Sequence, residues 1–256
     1  MSALVIREDE RGLATLTLNR PDKLNALNVP LFRELLAHVE AIERQEGSVG
    51  AVLVRGAGRC FSAGFDLGAI GEEVPFANFQ SHVVRRLAAL PQPVITAVHG
   101  HCYAGGLEIA LAGDITLVSE SAKMADRHAK WGITPVWGMS QRLPRRVGLA
   151  KAMELMTTCR VVTGREAAEI GLANVCYADD TFEADVSAFT TSVIENSWFT
   201  HRANKKLLLE TEAMSLRDGL AHEVYYNGGR SSDMEARMSG FGSPAKSSEN
   251  DGQEVN

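Results

Sequence analysis

The stretch HGHCYAGGLEIALAGD, residues 99–114, carries a single carboxylate, Glu108, in a run otherwise built of Gly, Ala, Leu and Ile. A buried carboxylate is costly unless something pairs with it or uses it. The stretch follows VITAV, an apolar strand pattern, and reads as strand, glycine-containing loop and helix. The helix begins near Gly105–Gly106, where the first backbone N–H groups have no intrahelical partner and carry partial positive charge. Glycine lets a ligand approach that backbone closely, and such an end can hold a developing oxyanion. Glu108, about one turn in, projects close to the same spot.

Working outward, GAGRCFSAGFDLG (56–68) is a second glycine-punctuated loop after a strand, so it leaves the same edge of the sheet. A backbone N–H of Gly64 or Phe65 then supplies a second donor. Two convergent N–H groups and one acid/base carboxylate suit chemistry through a thioester enolate: the donors hold the carbonyl oxygen as it gains charge, and the carboxylate moves protons at adjacent carbons.

The rest of the chain sets this pair of loops in an α/β frame. Residues 4–7 and 13–19 predict a hairpin around EDERG, and Phe32, Leu35, Leu36, Val39 and Ile42 predict a helix over 29–44. Strands are expected at 51–54, 93–98 and 115–118, and a helix at 76–90. Helices dominate later, at 138–158, 164–170, 182–195, 199–210 and 215–238. Strands interleaved with helices indicate a mostly parallel sheet with crossover connections. The expected division is a core over 1–180, a helical region over 181–241, and a polar, disordered tail over 242–256.

Composition narrows the function classes. The 256 residues are 45% hydrophobic and 23% charged, with a formal net charge of −6, which argues against nucleic acid as the main partner. Four scattered cysteines and the absence of a signal peptide or an apolar run of roughly 20 residues point to a cytoplasmic protein with no membrane segment. His99 and His101 form a lone H-x-H pair without further ligand spacing, so no metal is expected. Neither a G-x-S-x-G elbow nor a dinucleotide fingerprint is present.

Taken together, LNRPDKLNALN (18–28), GRCFSAGFDL (58–67), VHGHCYAGGLEIALAGDI (98–115), ITPVWGMSQRLPRRVG (133–148) and TGREAAEIGLANVC (163–176) resemble the crotonase superfamily, the enoyl-CoA hydratase/isomerase family. The resemblance covers nearly all of residues 4–241. It implies a spiral of ββα turns, a C-terminal helical region that drives trimerisation, assembly as a trimer or dimer of trimers, and an acyl-CoA substrate with no cofactor beyond that CoA. By motif position it makes Phe65 and Gly105 the oxyanion donors and Glu108 a catalytic glutamate. Lys23, Leu24, Phe61, Ser62 and Ala63 match the CoA-binding edge, with Gly64 and Asp66 in the same strip, Asp66 as a helix N-cap. Trp131 and Trp137 flank the Gly-x-x-Pro loop and either line an acyl pocket or pack in the core. Phe241 matches a C-terminal substrate-side phenylalanine, but the lysine-rich segment that follows it in many relatives is replaced by GSPAKSS, leaving Lys246 a loose candidate for the CoA phosphates.

The pattern breaks in KMADRHAKWGITP (123–135), where His128 takes the place of the family's second glutamate. If the backbone is extended, Asp126 and His128 point to the same side, although Asp126 reads first as a loop-capping or salt-bridged residue facing Arg127 or a neighbour. A histidine can share proton work near neutral pH, or line the pocket as a gatekeeper that leaves Glu108 to act alone. The expected reaction is hydration of a trans-2-enoyl-CoA to the 3-hydroxyacyl-CoA. The alternatives are enoyl-CoA isomerase, thioesterase or decarboxylase chemistry, and a non-catalytic acyl-CoA-binding protein.

Overall fold

Arg11 and Gly12 both take positive φ, 50° and 90°. That is the two-residue turn whose twist matches a right-handed hairpin, and it closes β1 (Val5–Glu10) onto β2 (Leu13–Leu18) as an antiparallel pair. The computed structural model describes residues 3–45 and 47–239. Phe241, Lys246 and the 242–256 tail lie outside the described residues.

After the hairpin the chain alternates strand and helix as its sequence pattern predicts. Asn28 caps α1 (Val29–Glu43) by accepting from the Leu31 N–H at 3.1 Å. Next come β3 (Ala51–Gly56), α2 (Phe79–Ala88), β4 (Val94–Val98), β5 (His101–Tyr103), α3 (Gly105–Ala110), β6 (Ile115–Ser119) and β7 (Lys123–Ala125). Following these are α4 (Met139–Val147), α5 (Leu149–Thr158), β8 (Val162–Thr163), α6 (Gly164–Glu169) and β9 (Val175–Tyr177). Strands β1-β2-β3-β4-β6-β9 form one sheet, parallel from β2 onward, and β5-β7-β8 form a smaller one. Two turns of the spiral, β4–β5–α3 and β6–β7–α4, send one strand to the large sheet, one short strand to the small sheet, and then a helix. Gly100 makes the corner between β4 and β5: its φ is 55°, and a Cβ there would lie 2.2 Å from the Arg59 carbonyl oxygen.

Period-two alternation divides the core between the two faces of the large sheet. Val52, Val54, Val94, Val98 and Val118 share one cluster with α1 and α2, where Leu31, Phe32, Leu35, Val39 and Ile42 are wholly buried. Each such side chain contributes about 1.5–3 kcal/mol. Leu53, Ile95, Ala97 and Leu117 face the other way, onto Phe182 and Val186 of α7 (Phe182–Glu195).

Beyond α7 the chain continues as α8 (Trp198–Thr211), α9 (Leu216–Tyr226) and α10 (Met234–Ser239). The buried Lys205 ammonium fastens α8 to the core, donating to Asp114 at 2.7 Å and to the Gln92 carbonyl at 3.0 Å. Two expected helices are each split. The 138–158 helix breaks at Gly148, φ 78°, and the 215–238 helix breaks where Gly228 and Gly229 take φ of 73° and 76°. Among the described residues no helix is long and apolar enough to cross a membrane.

Candidate active site

The 61–66 loop is pinned nearly atom by atom. The N–H of Phe61 donates to His99, of Ser62 to His101, of Ala63 to Leu24, and of Asp66 to Leu27, all at 2.8–2.9 Å. Gly64 donates to the Ser62 hydroxyl at 3.1 Å, and that hydroxyl donates to the Asn25 carbonyl. Phe65 is the exception, since its N–H has no acceptor among the described residues. Of the two donors the sequence left open, Gly64 is thereby spent and Phe65 is available.

The neighbouring loop enters α3 through Ala104, whose φ of 46° and ψ of −114° are unusual for a residue with a Cβ. Such geometry costs of order 1–3 kcal/mol and persists only when the surroundings over-determine it. It opens a helix whose first N–H groups, Gly105 among them, have no helical acceptor. The two loops touch: a Cβ on Gly106 would lie 2.8 Å from the Ser62 carbonyl oxygen, which is backbone and cannot swing away. Gly106→Ala is therefore expected to destabilise the protein by about 1–3 kcal/mol, read as a lowered midpoint in thermal unfolding by circular dichroism. An unchanged midpoint would contradict this packing.

Glu108 is 1% exposed. Its Oε1 accepts from the Trp137 N–H at 2.8 Å and the Met139 N–H at 3.1 Å, while its Oε2 lies 3.5 Å from His128 Nε2. The other imidazole nitrogen, Nδ1, bonds Asp126 Oδ1, which also accepts from the His128 backbone N–H at 3.0 Å. Asp126 and His128 do point to the same side, and Asp126 pairs with the imidazole rather than with Arg127. Burial pulls the His128 pKa down, but hydrogen bonds and charge from Asp126 and Glu108 outweigh it and raise it to about 9. An imidazolium thus stands between two carboxylates at neutral pH. Behind them Arg142 donates to the Trp137 carbonyl at 2.7 Å. Burial lowers its pKa, and the nearby Glu108 charge opposes that shift.

A cleft of about 340 Å³ opens on this cluster. His128, Phe65, Ala63 and Trp131 line it, together with Leu67, Tyr103, Ala104, Arg127, Lys130 and Ile133. His128 forms part of its wall, and Glu108 lies behind His128. Trp137 packs nearby against the start of α3. A Cβ on Gly105 would lie 2.3 Å from the indole, which meets Phe32 and Phe65 edge-on at centroid distances of 4.9 and 6.1 Å. Larger hollows run along α8 and α9 and contain neither Glu108 nor His128.

The remaining expected residues divide between cleft and scaffold. Leu24 reaches Ala63 through its carbonyl, and Lys23 is exposed at the end of a short helical turn beside it. The Phe61 and Ser62 side chains are fully buried and hold the loop in place. Asp66 caps the next turn through the Gly68 N–H and pairs with Arg20 at 2.9 Å, which holds its carboxyl below the usual range. His99 and His101 bond the Gly58 carbonyl and the Tyr103 hydroxyl. Arg127, Trp137 and Arg142 join the cluster as neighbours that no local motif marks; Trp137 does so by packing against Gly105, Phe32 and Phe65.

Known proteins place this architecture. The sequence profile of the enoyl-CoA hydratase/isomerase family matches residues 8–241. A short-chain-enoyl-CoA hydratase of Clostridium acetobutylicum is 33% identical, covering 86% of this chain and 86% of its own. The 1,2-epoxyphenylacetyl-CoA isomerase of Escherichia coli is 31% identical, covering 94% and 96%. Among solved structures, a Thermobifida fusca protein in complex with acetoacetyl-CoA superposes with a TM-score of 0.81 at 26% identity, covering 93% of this chain and 96% of that one. The chain, with its crotonase-type spiral and its glutamate behind two pinned loops, belongs to the enoyl-CoA hydratase/isomerase family.

Proposed function

We propose that the protein hydrates a trans-2-enoyl-CoA to the 3-hydroxyacyl-CoA. The observation that carries this reading is the pairing of Glu108 Oε2 with His128 Nε2 at 3.5 Å, beside the unclaimed N–H groups of Phe65 and Gly105. The distance is longer than a good hydrogen bond, so acceptor and donor are held close without being locked together.

In the proposed step a water oxygen forms its bond to C3 of the enoyl group and gives its proton to Glu108. The electron pair of the C2–C3 double bond moves onto the thioester oxygen, which Phe65 and Gly105 stabilise. The His128 imidazolium then protonates C2, collapsing the enolate. Proton transfer from Glu108 to His128 resets both groups. A double-bond shift needs only one group that takes and returns the same proton, whereas addition of water uses two, and two are present.

The acyl-CoA substrate is supported by the relatives' names and by the Thermobifida fusca complex with acetoacetyl-CoA. CoA enters as part of the substrate, and the reading requires no separate cofactor. We also assign the protein to the cytoplasm, consistent with four free cysteines, and to a trimer or dimer of trimers. Leu208, Leu220, Val224 and Tyr225 of α8 and α9 are 56–82% exposed, an apolar surface suited to a second copy.

Incubation of the purified protein with but-2-enoyl-CoA and but-3-enoyl-CoA, followed by mass spectrometry, tests the reaction. A gain of one water on the 2-enoyl thioester is expected. Conversion of the 3-enoyl to the 2-enoyl isomer without that gain would make the protein an isomerase instead.

A further inference from the structure

Beside His128 the cleft carries two more cations and no acid. Arg127 and Lys130 line it, neither has a carboxylate partner among the described residues, and no Asp or Glu contributes to its wall. This is notable in a chain with 32 acidic and 26 basic residues.

Arg127 is also held in place. One guanidinium nitrogen donates to the Cys159 carbonyl at 3.2 Å, and Cζ lies 4.8 Å above the centre of the Tyr103 ring. Its adjacent acid, Asp126, is committed to His128. A guanidinium fixed on an aromatic face with donors to spare is preorganised for a planar, two-oxygen anion.

We propose that Arg127, with Lys130 beside it, forms a carboxylate subsite of this cleft, so that the preferred acyl group carries a carboxylate at the end away from the thioester. The inference rests on the reading of the site as one that processes CoA thioesters and adds the class of acyl group. Position favours the acyl end over the CoA phosphates. Arg127 and His128 are consecutive, their Cα atoms about 3.8 Å apart, and both line one cleft. An anion on Arg127 would therefore occupy the same cleft as a group that His128 serves. Trp137 packs over Gly105 and against Phe32 and Phe65, outside the lining to which Arg127 and Lys130 contribute.

The test compares hydration of 4-carboxybut-2-enoyl-CoA and pent-2-enoyl-CoA, and of the same acyl groups on phosphate-free pantetheine, by wild type, Arg127→Leu and Arg127→Lys. Wild type is expected to favour the carboxylated substrate in kcat/KM by on the order of 10- to 100-fold, the range of a charge-assisted hydrogen bond. Arg127→Leu should abolish that preference on CoA and pantetheine alike, mainly through KM, and Arg127→Lys should retain part of it. Wild-type preference for the neutral chain overturns the proposal. So does an Arg127→Leu loss that is equal for both acyl groups and absent on pantetheine, which would assign the guanidinium to a CoA phosphate. If wild type hydrates neither substrate, the hydratase reading fails. Calorimetric binding of 4-carboxybutanoyl-CoA against pentanoyl-CoA then judges the subsite by itself, equal affinities counting against it. Should Arg127→Leu lose its circular dichroism spectrum, the wild-type preference and the Arg127→Lys ratio decide.

Discussion

Glu108→Gln is expected to lower the hydration kcat by about 10²- to 10⁴-fold, the usual contribution of a positioned acid or base, with the fold retained. Glutamine keeps an oxygen where Oε1 accepts from Trp137 and Met139, so the loop that cradles Glu108 stays satisfied. What disappears is the capacity to take a proton from water and return it. The amide nitrogen also replaces Oε2 opposite His128 Nε2, turning an acceptor toward a donor into a donor toward a donor. The imidazolium then loses one of its two anionic partners, and its proton is held less firmly. Steady-state kinetics with 2-enoyl-CoA, alongside a thermal melt, checks the expectation. A kcat within about threefold of wild type would remove Glu108 from the proton path.

The second large effect is on pH dependence. Asp126 and Glu108 raise His128 to about 9 against the opposing effect of burial. The protonated imidazole that the mechanism needs is therefore present through neutral pH and lost as pH rises through about 9. Asp126→Asn removes one of the two carboxylates, so the alkaline limb should move to lower pH, with activity at mildly alkaline pH falling most. The same raised value makes a linked contribution to stability. It is fully present below the ordinary histidine pKa of about 6.5 and is lost as pH rises through about 9. A kcat profile from about pH 6 to about pH 10, recorded for both proteins, decides the matter. If the limb stays in place, Asp126 does not set the proton affinity of His128.

Much of this was legible in the chain because it is written locally. Glu108 stood out as the one carboxylate in an apolar helix. Asp126 meets the His128 imidazole through a turn, its Oδ1 also accepting the His128 N–H, rather than through the extended backbone that the i, i+2 argument required. The hairpin, α1 and the sheet strands follow from period and turn chemistry. The features that escaped depend on distant partners. The Phe61 and Ser62 side chains turn inward because the 61–66 loop is sewn to residues 24–27 and 99–101, which its own composition does not reveal. Trp137 finds its place against Gly105, and Arg127 against Tyr103 and Cys159. The breaks at Gly148 and Gly228–Gly229 were masked by apolar periodicity running through them, although a glycine marks each.

The grip of Trp137 and Met139 on Glu108 crosses 29 and 31 residues of sequence. The aim of the carboxylate is thus encoded outside the helix that bears it. Changes in the 136–139 loop can redirect the same glutamate toward a different substrate carbon while the helix, its glycines and the N–H groups proposed as oxyanion donors stay as they are. That separation lets a lineage acquire new reactions by editing a short external segment, without reopening the buried frame on which folding depends.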